Sequence, residues 1–126
     1  MREVVICGKT YPMASSFLCI ANYKNYFGMD SNLGKDIGDV KKGLIDIRKL
    51  AKDKNISKEE LEAQSIGILS EIIEKGIKIA YCLIKEVNPD FQSFEEWAKT
   101  LNGLFDEVTW ITEVVGIASN VFRRNI

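Results

Sequence analysis

The side chains here whose types and spacing invite chemistry are three thiols, two adjacent acid pairs and a run of lysines. Cys7, Cys19 and Cys82 could serve as nucleophiles, but a cysteine nucleophile needs a neighbouring base, and the chain has no histidine. Without imidazole the usual catalytic zinc sites are also out of reach. The thiols are odd in number and show no C-x-x-C spacing, which argues for neither a disulfide framework nor a zinc site. Each reads as a small buried hydrophobe in a reducing cytoplasm. Glu59/Glu60 and Glu95/Glu96 could suggest acid–base work. Adjacent helical positions point about 100° apart, however, and both pairs fall in first turns, where acids favour the positive end of the dipole. No phosphate-cradling, dinucleotide-binding or calcium-binding loop motif occurs. The expectation is a non-enzymatic protein with no cofactor and no metal.

The lysines carry a different possibility. Residues 41–54 hold Lys41, Lys42, Arg48, Lys49, Lys52 and Lys54 against Asp46 and Asp53, a local net charge of +4. Such a segment could contact phosphates and release counterions, or it could be a solvated helix face. No aromatic or arginine-rich pattern accompanies it, and later helix starts open with acids, not with base-reading residues. That disfavours nucleic acid. Residues 86–113 carry seven acids against Lys99, a local −6, while the whole chain sums to −1.

The elements that must position these groups can be read from periodicity. The 126 residues suit one domain, with 1–14 a β-hairpin and 15–126 helical. Residues 3–7 and 10–14 are short apolar-rich stretches around Gly8-Lys9, a pair that suits a two-residue II′ turn. Pro12 cannot donate to a ladder, so its strand should be an edge. Because an isolated hairpin is marginal in water, this one must lie on the helices or join another chain. Ser15 or Ser16 caps a helix through Phe17, Leu18, Ile20 and Ala21 to Phe27, which Gly28 stops. Residues 28–36 read as a loop. Ile37, Val40, Leu44, Ile47 and Ala51 then repeat at helical spacing from Asp36 to about Asp53, with Gly38 and Gly43 each costing about 1 kcal/mol.

Ser57-x-x-Glu60 is a capping box opening a helix that Asn88-Pro89 ends, about 45 Å long at 1.5 Å per residue. Leu61, Ile68, Leu69, Ile72, Ile73, Ile79, Ala80, Leu83, Ile84 and Val87 fill about half its cylinder, which makes it the central helix. Glu71→Lys75 and Glu74→Lys78 are supportive pairs on the far face. Ser93-x-x-Glu96 opens a short helix through Trp97 to Leu101, ended by Asn102-Gly103. Asp106 caps a last helix whose apolar face runs through Trp110, Val114 and Phe122. The fold class is therefore mainly α (α+β): an N-terminal hairpin, then a bundle of about four helices with one long central member. No run of 18 apolar residues points to a membrane span, and Val4-Val5-Ile6-Cys7 is too short for a signal segment.

Aromatics gather in the last third. At helical spacing they are core residues or a partner surface. As partner-facing residues they would be Trp97, Phe105, Trp110, Val114 and Phe122, the face around Trp110 and Phe122 holding a client or a neighbouring copy.

Three places carry a family resemblance. Val4-Val5-Ile6-Cys7-Gly8-Lys9-Thr10-Tyr11-Pro12 opens the chain and a helix follows from Ser16-Phe17. A charged, glycine-containing stretch precedes a long apolar helix, Ile66 to Val87. Ser93-Phe94-Glu95-Glu96-Trp97 and Trp110-Ile111-Thr112-Glu113-Val114 through Phe122-Arg123 form the end. This layout, from residue 3 to residue 124, resembles the tail assembly chaperones of long-tailed bacteriophages of Gram-positive hosts. The resemblance implies a non-catalytic helical protein of the host cytoplasm, absent from the mature virion. It would bind the tape measure protein and recruit the major tail protein that forms the tail tube, working in repeated copies as a homo-oligomer. It also implies a longer, frameshifted product departing at Arg123-Arg124-Asn125-Ile126. The rival reading is a small DNA-associated regulatory protein using the basic 41–54 helix.

Overall fold

A computed structural model describes residues 1–123 as an antiparallel hairpin, β1 (Arg2–Ile6) and β2 (Lys9–Met13), followed by five helices. These are α1 (Leu18–Phe27), α2 (Leu33–Lys52), α3 (Lys58–Val87), the short α4 (Phe94–Ala98) and α5 (Thr109–Ser119), which runs on into a single 3-10 turn, Asn120–Phe122. The architecture is the expected one, with α3 central and the hairpin, α1, α2 and α5 packed around it.

The hairpin lies on its own helices. Period-two alternation sends Val4, Ile6, Tyr11 and Met13 inward, where all four are buried, and leaves Glu3, Val5, Thr10 and Pro12 outside. Ala14 N–H donates to the Leu83 carbonyl at 3.3 Å, tying the end of β2 to α3. The turn falls one residue earlier than the sequence suggests. Ile6 pairs with Lys9, so Cys7 and Gly8 are the central residues, with φ of 52° and 79°. Two positive values are the type I′ geometry that matches strand twist. Gly8 accepts it freely, whereas Cys7 does so against its Cβ, and Cys7 is exposed at the tip instead of buried.

The start of α1 is held by Ser16 Oγ, which accepts the Leu18 N–H at 3.2 Å, and Gly28 N–H closes it on the Lys24 carbonyl. Phe17 and Leu18 face solvent, 79% and 63% exposed, while Cys19 and Tyr23 go inside. Tyr23 brings a large ring against Phe27 and a hydroxyl that donates to Asp36 Oδ2 at 2.6 Å, so its polar end is satisfied on burial. The next helix begins at Leu33, before the Asp36 expected from periodicity, because Asn32 Oδ1 accepts the Lys35 N–H and caps it. On α2, Gly43 sits where a Cβ would run into the Ile72 methyl, so this glycine sets the close approach of α2 to α3.

Ser57 Oγ accepts the Glu60 N–H at the start of α3. From Ile72 to Ile84 every residue except Glu74, Lys75 and Lys78 is buried, and from Ile79 to Ile84 the helix is buried all round. Lys78 pairs with Glu74 at 3.7 Å as expected, but Lys75 reaches across to Asp39 of α2 at 2.7 Å instead of back to Glu71. The following helix ends at Ala98, short of Leu101. Asp106 does not cap α5: its N–H closes a turn on the Gly103 carbonyl, at a glycine with φ 79°, and Glu107 Oε1 accepts both the N–H and the hydroxyl of Thr109. Among the described residues no helix is long and apolar enough to cross a membrane.

Candidate interaction groove

The expected partner residues divide sharply. Trp97, Trp110 and Val114 are fully buried in the chain's own core and cannot touch a partner while the protein is folded. Trp97 sits in an aromatic cluster with Tyr11, Tyr81, Phe91 and Phe94, and its indole N–H donates to Tyr11 Oη at 3.1 Å, joining α4 to the hairpin. The Trp110 ring lies on Gly76 of α3, and its buried Nε1 finds no acceptor among the described residues. Hydrophobic size drew these residues inward, as it does for most tryptophans in small domains. Phe105 and Phe122 remain outside, 52% and 44% exposed.

Phe122 marks one end of a groove that sequence periodicity did not reveal. Two helical stripes face each other across it. On α2 the stripe is Gly34, Gly38, Lys41, Ile45 and Arg48; on α5 and its 3-10 extension it is Thr112, Val115, Gly116, Ser119 and Phe122. Positions spaced by three and four lie on one side of a helix, so both stripes are continuous. From Gly34 to Arg48 the valley runs about 20 Å, at 1.5 Å per residue. The half beside Ile45 encloses about 410 Å³ and is lined on its apolar side by Leu44, Ile45 and Val115. A Cβ built on Gly38 or Gly116 would meet nothing within 4 Å, so an incoming side chain or backbone can approach closely there. Ile45 is 48% exposed although it lines the apolar floor.

Charge around the groove is one-signed on the α2 side. Lys41 and Arg48 stand on its wall, and among the described residues neither makes an ion pair. Two other cations of the basic segment point elsewhere: Lys42 lines a crevice with Asp39, Asp46 and Glu71, and Lys49 one with Asp46 and Asp53. The six positive charges therefore do not form one continuous face.

Of the three thiols only Cys7, at the hairpin tip, is exposed. Cys19 and Cys82 are both buried, and Cys82 S–H donates to the Cys19 carbonyl at 3.6 Å, packing α1 on α3. The Cys19 partner, then burial, push the Cys82 thiol well above its ordinary range. Among the described residues no group of three or more histidine, cysteine or acidic side chains is placed to hold a metal ion. The C-terminal junction at Arg124–Ile126, where the resemblance places a departing extension, lies outside the described residues. Comparison with protein-family models, curated proteins and solved structures finds no match for this chain.

Proposed function

We propose that this protein is a non-catalytic assembly chaperone of long-tailed phages that binds the tape measure protein and recruits tail tube protein during tail morphogenesis. The chain-long resemblance supports this reading, from the Val4–Pro12 hairpin to the Trp110–Arg123 end. The observation that carries it is the groove between α2 and α5: an apolar, cation-walled valley about 20 Å long, with open space at Gly38 and Gly116. A surface of this kind serves protein recognition. Helix-in-groove docking needs an apolar floor and small residues, not convergent acids or a nucleophile. An elongated client also needs many weak contacts repeated along its length, which copies of one small protein supply through avidity.

Co-expression with a tape measure fragment tests the reading. The fragment should stay soluble and co-purify with this protein, and Ile45→Asp should reduce its recovery while the far-UV spectrum is unchanged. A fragment equally insoluble with and without the protein would reject the assignment. The DNA-associated alternative gains little from the geometry, because the basic segment divides between two sides of α2. It requires duplex binding that falls steeply with salt, and a flat mobility-shift titration at low salt would dispose of it.

A further inference from the structure

The chain carries a feature that complements its own groove. Residues 102–108, between α4 and α5, form a hydrogen-bonded bend anchored on the core by Leu104 and Val108. Its tip is closed by the Asp106 N–H on the Gly103 carbonyl at 3.0 Å and its base by Glu107 Oε1 on Thr109 at 2.8 Å. Phe105 stands at that tip, 52% exposed, followed directly by Asp106 and Glu107. Both acids are exposed, and the Thr109 hydrogen bonds hold the Glu107 carboxyl below its ordinary range, keeping it ionised. An exposed aromatic ring followed by two exposed carboxylates, the Glu107 one held by Thr109, is the counterpart of an apolar hollow whose two cations make no ion pair among the described residues. Neither Phe105 nor its acidic neighbours lines the groove of its own chain.

The charges that face these two surfaces are opposite in sign: Lys41 and Arg48 on the α2 wall, Asp106 and Glu107 on the bend, which has no lysine or arginine between residues 100 and 113. Opposite potentials on separate surfaces of one chain steer copies together and fix their orientation.

We propose that the groove between α2 and α5 receives Phe105 of a second copy of this chain, with Asp106 and Glu107 of that copy set against Lys41 and Arg48. Knob and hollow are different surfaces, so the contact is heterologous: each copy uses its bend on one neighbour and its groove on another. Contacts of this kind build rings or open filaments, not closed dimers. The proposal rests on reading the groove as a docking site, not on the identity of any client. It is tested on the purified protein alone, so it can fail while tape measure capture succeeds, and the reverse.

The experiment is sedimentation velocity across a concentration series at low and high salt. Wild-type protein should grow beyond dimers with concentration, and added salt should shift it back toward the 14.2 kDa monomer. Phe105→Ser removes the knob and Ile45→Asp fills the hollow with charge; each should weaken association at least about tenfold. Arg48→Glu provides a second groove variant, and circular dichroism checks that all remain folded. The decisive sample is the mixture. Phe105→Ser keeps a working groove and Ile45→Asp a working knob, so together they should form a one-to-one heterodimer that grows no further. A wild-type protein that stays monomeric, one that stops at a closed dimer, or a mixture that stays monomeric would each overturn the proposal.

Discussion

One helix, α3, belongs to two regions that obey different rules. Its second half, from Ile72, is enclosed by the hairpin, α1, the first half of α2, α4 and α5, and every residue from Ile79 to Ile84 is buried. Its first half lies beside the end of α2, and between Leu44 and Glu71 no residue is fully buried. Leu44, Ile47, Ile68 and Leu69 are half-buried in a single stripe along this two-helix arm. Both halves are amphipathic; what differs is the number of neighbours. Apolar residues contribute in proportion to area removed from water, so stability concentrates in the head, and the arm should open first and locally.

The sharpest test of that division is to empty one site in each region. Trp97→Ala leaves a large hole in the aromatic cluster and strips Tyr11 Oη of its buried donor, so urea unfolding should show a loss of about 3–5 kcal/mol. Ile66→Ala, in the arm and 58% exposed, should change stability by no more than about 0.5 kcal/mol. Comparable losses at the two positions would show that the arm is as integral to the fold as the head.

A second test lies where the regions join. Gly43 and Gly38 share α2, and in sequence both look like helix-weakening residues. Gly43→Ala drives a methyl into Ile72 and should cost about 1–3 kcal/mol through overpacking. Gly38→Ala meets open space and should add about 0.5–1 kcal/mol. Thermal melts of the two variants should therefore move in opposite directions.

That pair also shows what the sequence made legible. Features set by a few adjacent residues could be read directly: the hairpin around Gly8, the caps at Ser57 and Ser93, the stop at Gly28. Features set by partners distant in the chain could not. Nothing local says that Gly43 meets Ile72, or that Cys19 and Tyr23 go inward while the larger apolar Phe17 and Leu18 stay out. The Asn32 cap was hidden because its surroundings have loop composition. The groove was invisible for the same reason as Gly43: its walls are stripes on helices about seventy residues apart along the chain, the α2 wall mixing glycine, cation and aliphatic and the α5 wall glycine, hydroxyl, aliphatic and one aromatic. Of the five aromatic and aliphatic residues expected to face a partner, Phe122 lines the groove and Phe105 forms the bend. The other three, Trp97, Trp110 and Val114, stand out in the sequence for the very hydrophobicity that buries them.

Within the head, pH provides a third test. Burial, reinforced by the hydrogen bond to Asp36, pushes the Tyr23 phenol far above its ordinary value of 10.0. The folded state thus favours the protonated phenol. Its contribution is fully present below pH 10.0, the unfolded value, and declines as pH rises beyond it, because the unfolded chain then gains by ionising. Tyr23→Phe should cost about 1 kcal/mol at neutral pH, and the gap from wild type should narrow in alkaline urea melts. A gap that stays constant above pH 10 would mean that the phenol is not sequestered. No matching alkaline effect is expected from the arm, which contains no tyrosine.

The smallest effect discriminates most finely. Gly67 lies in the arm half of α3, exposed, with nothing within 4 Å of a built Cβ. Gly67→Ala should therefore act through backbone entropy alone, strengthening the helix by about 0.5–1 kcal/mol. Where that gain appears depends on cooperativity. If the arm opens while the head stays closed, amide exchange in residues 58–70 should slow several-fold, and exchange in residues 79–84 should be unchanged. If the whole chain opens as one unit, protection should rise equally in both stretches. The first pattern follows from a helix whose burial changes abruptly at Ile72, since a segment held along one side can leave its neighbour without disturbing a segment enclosed by several elements.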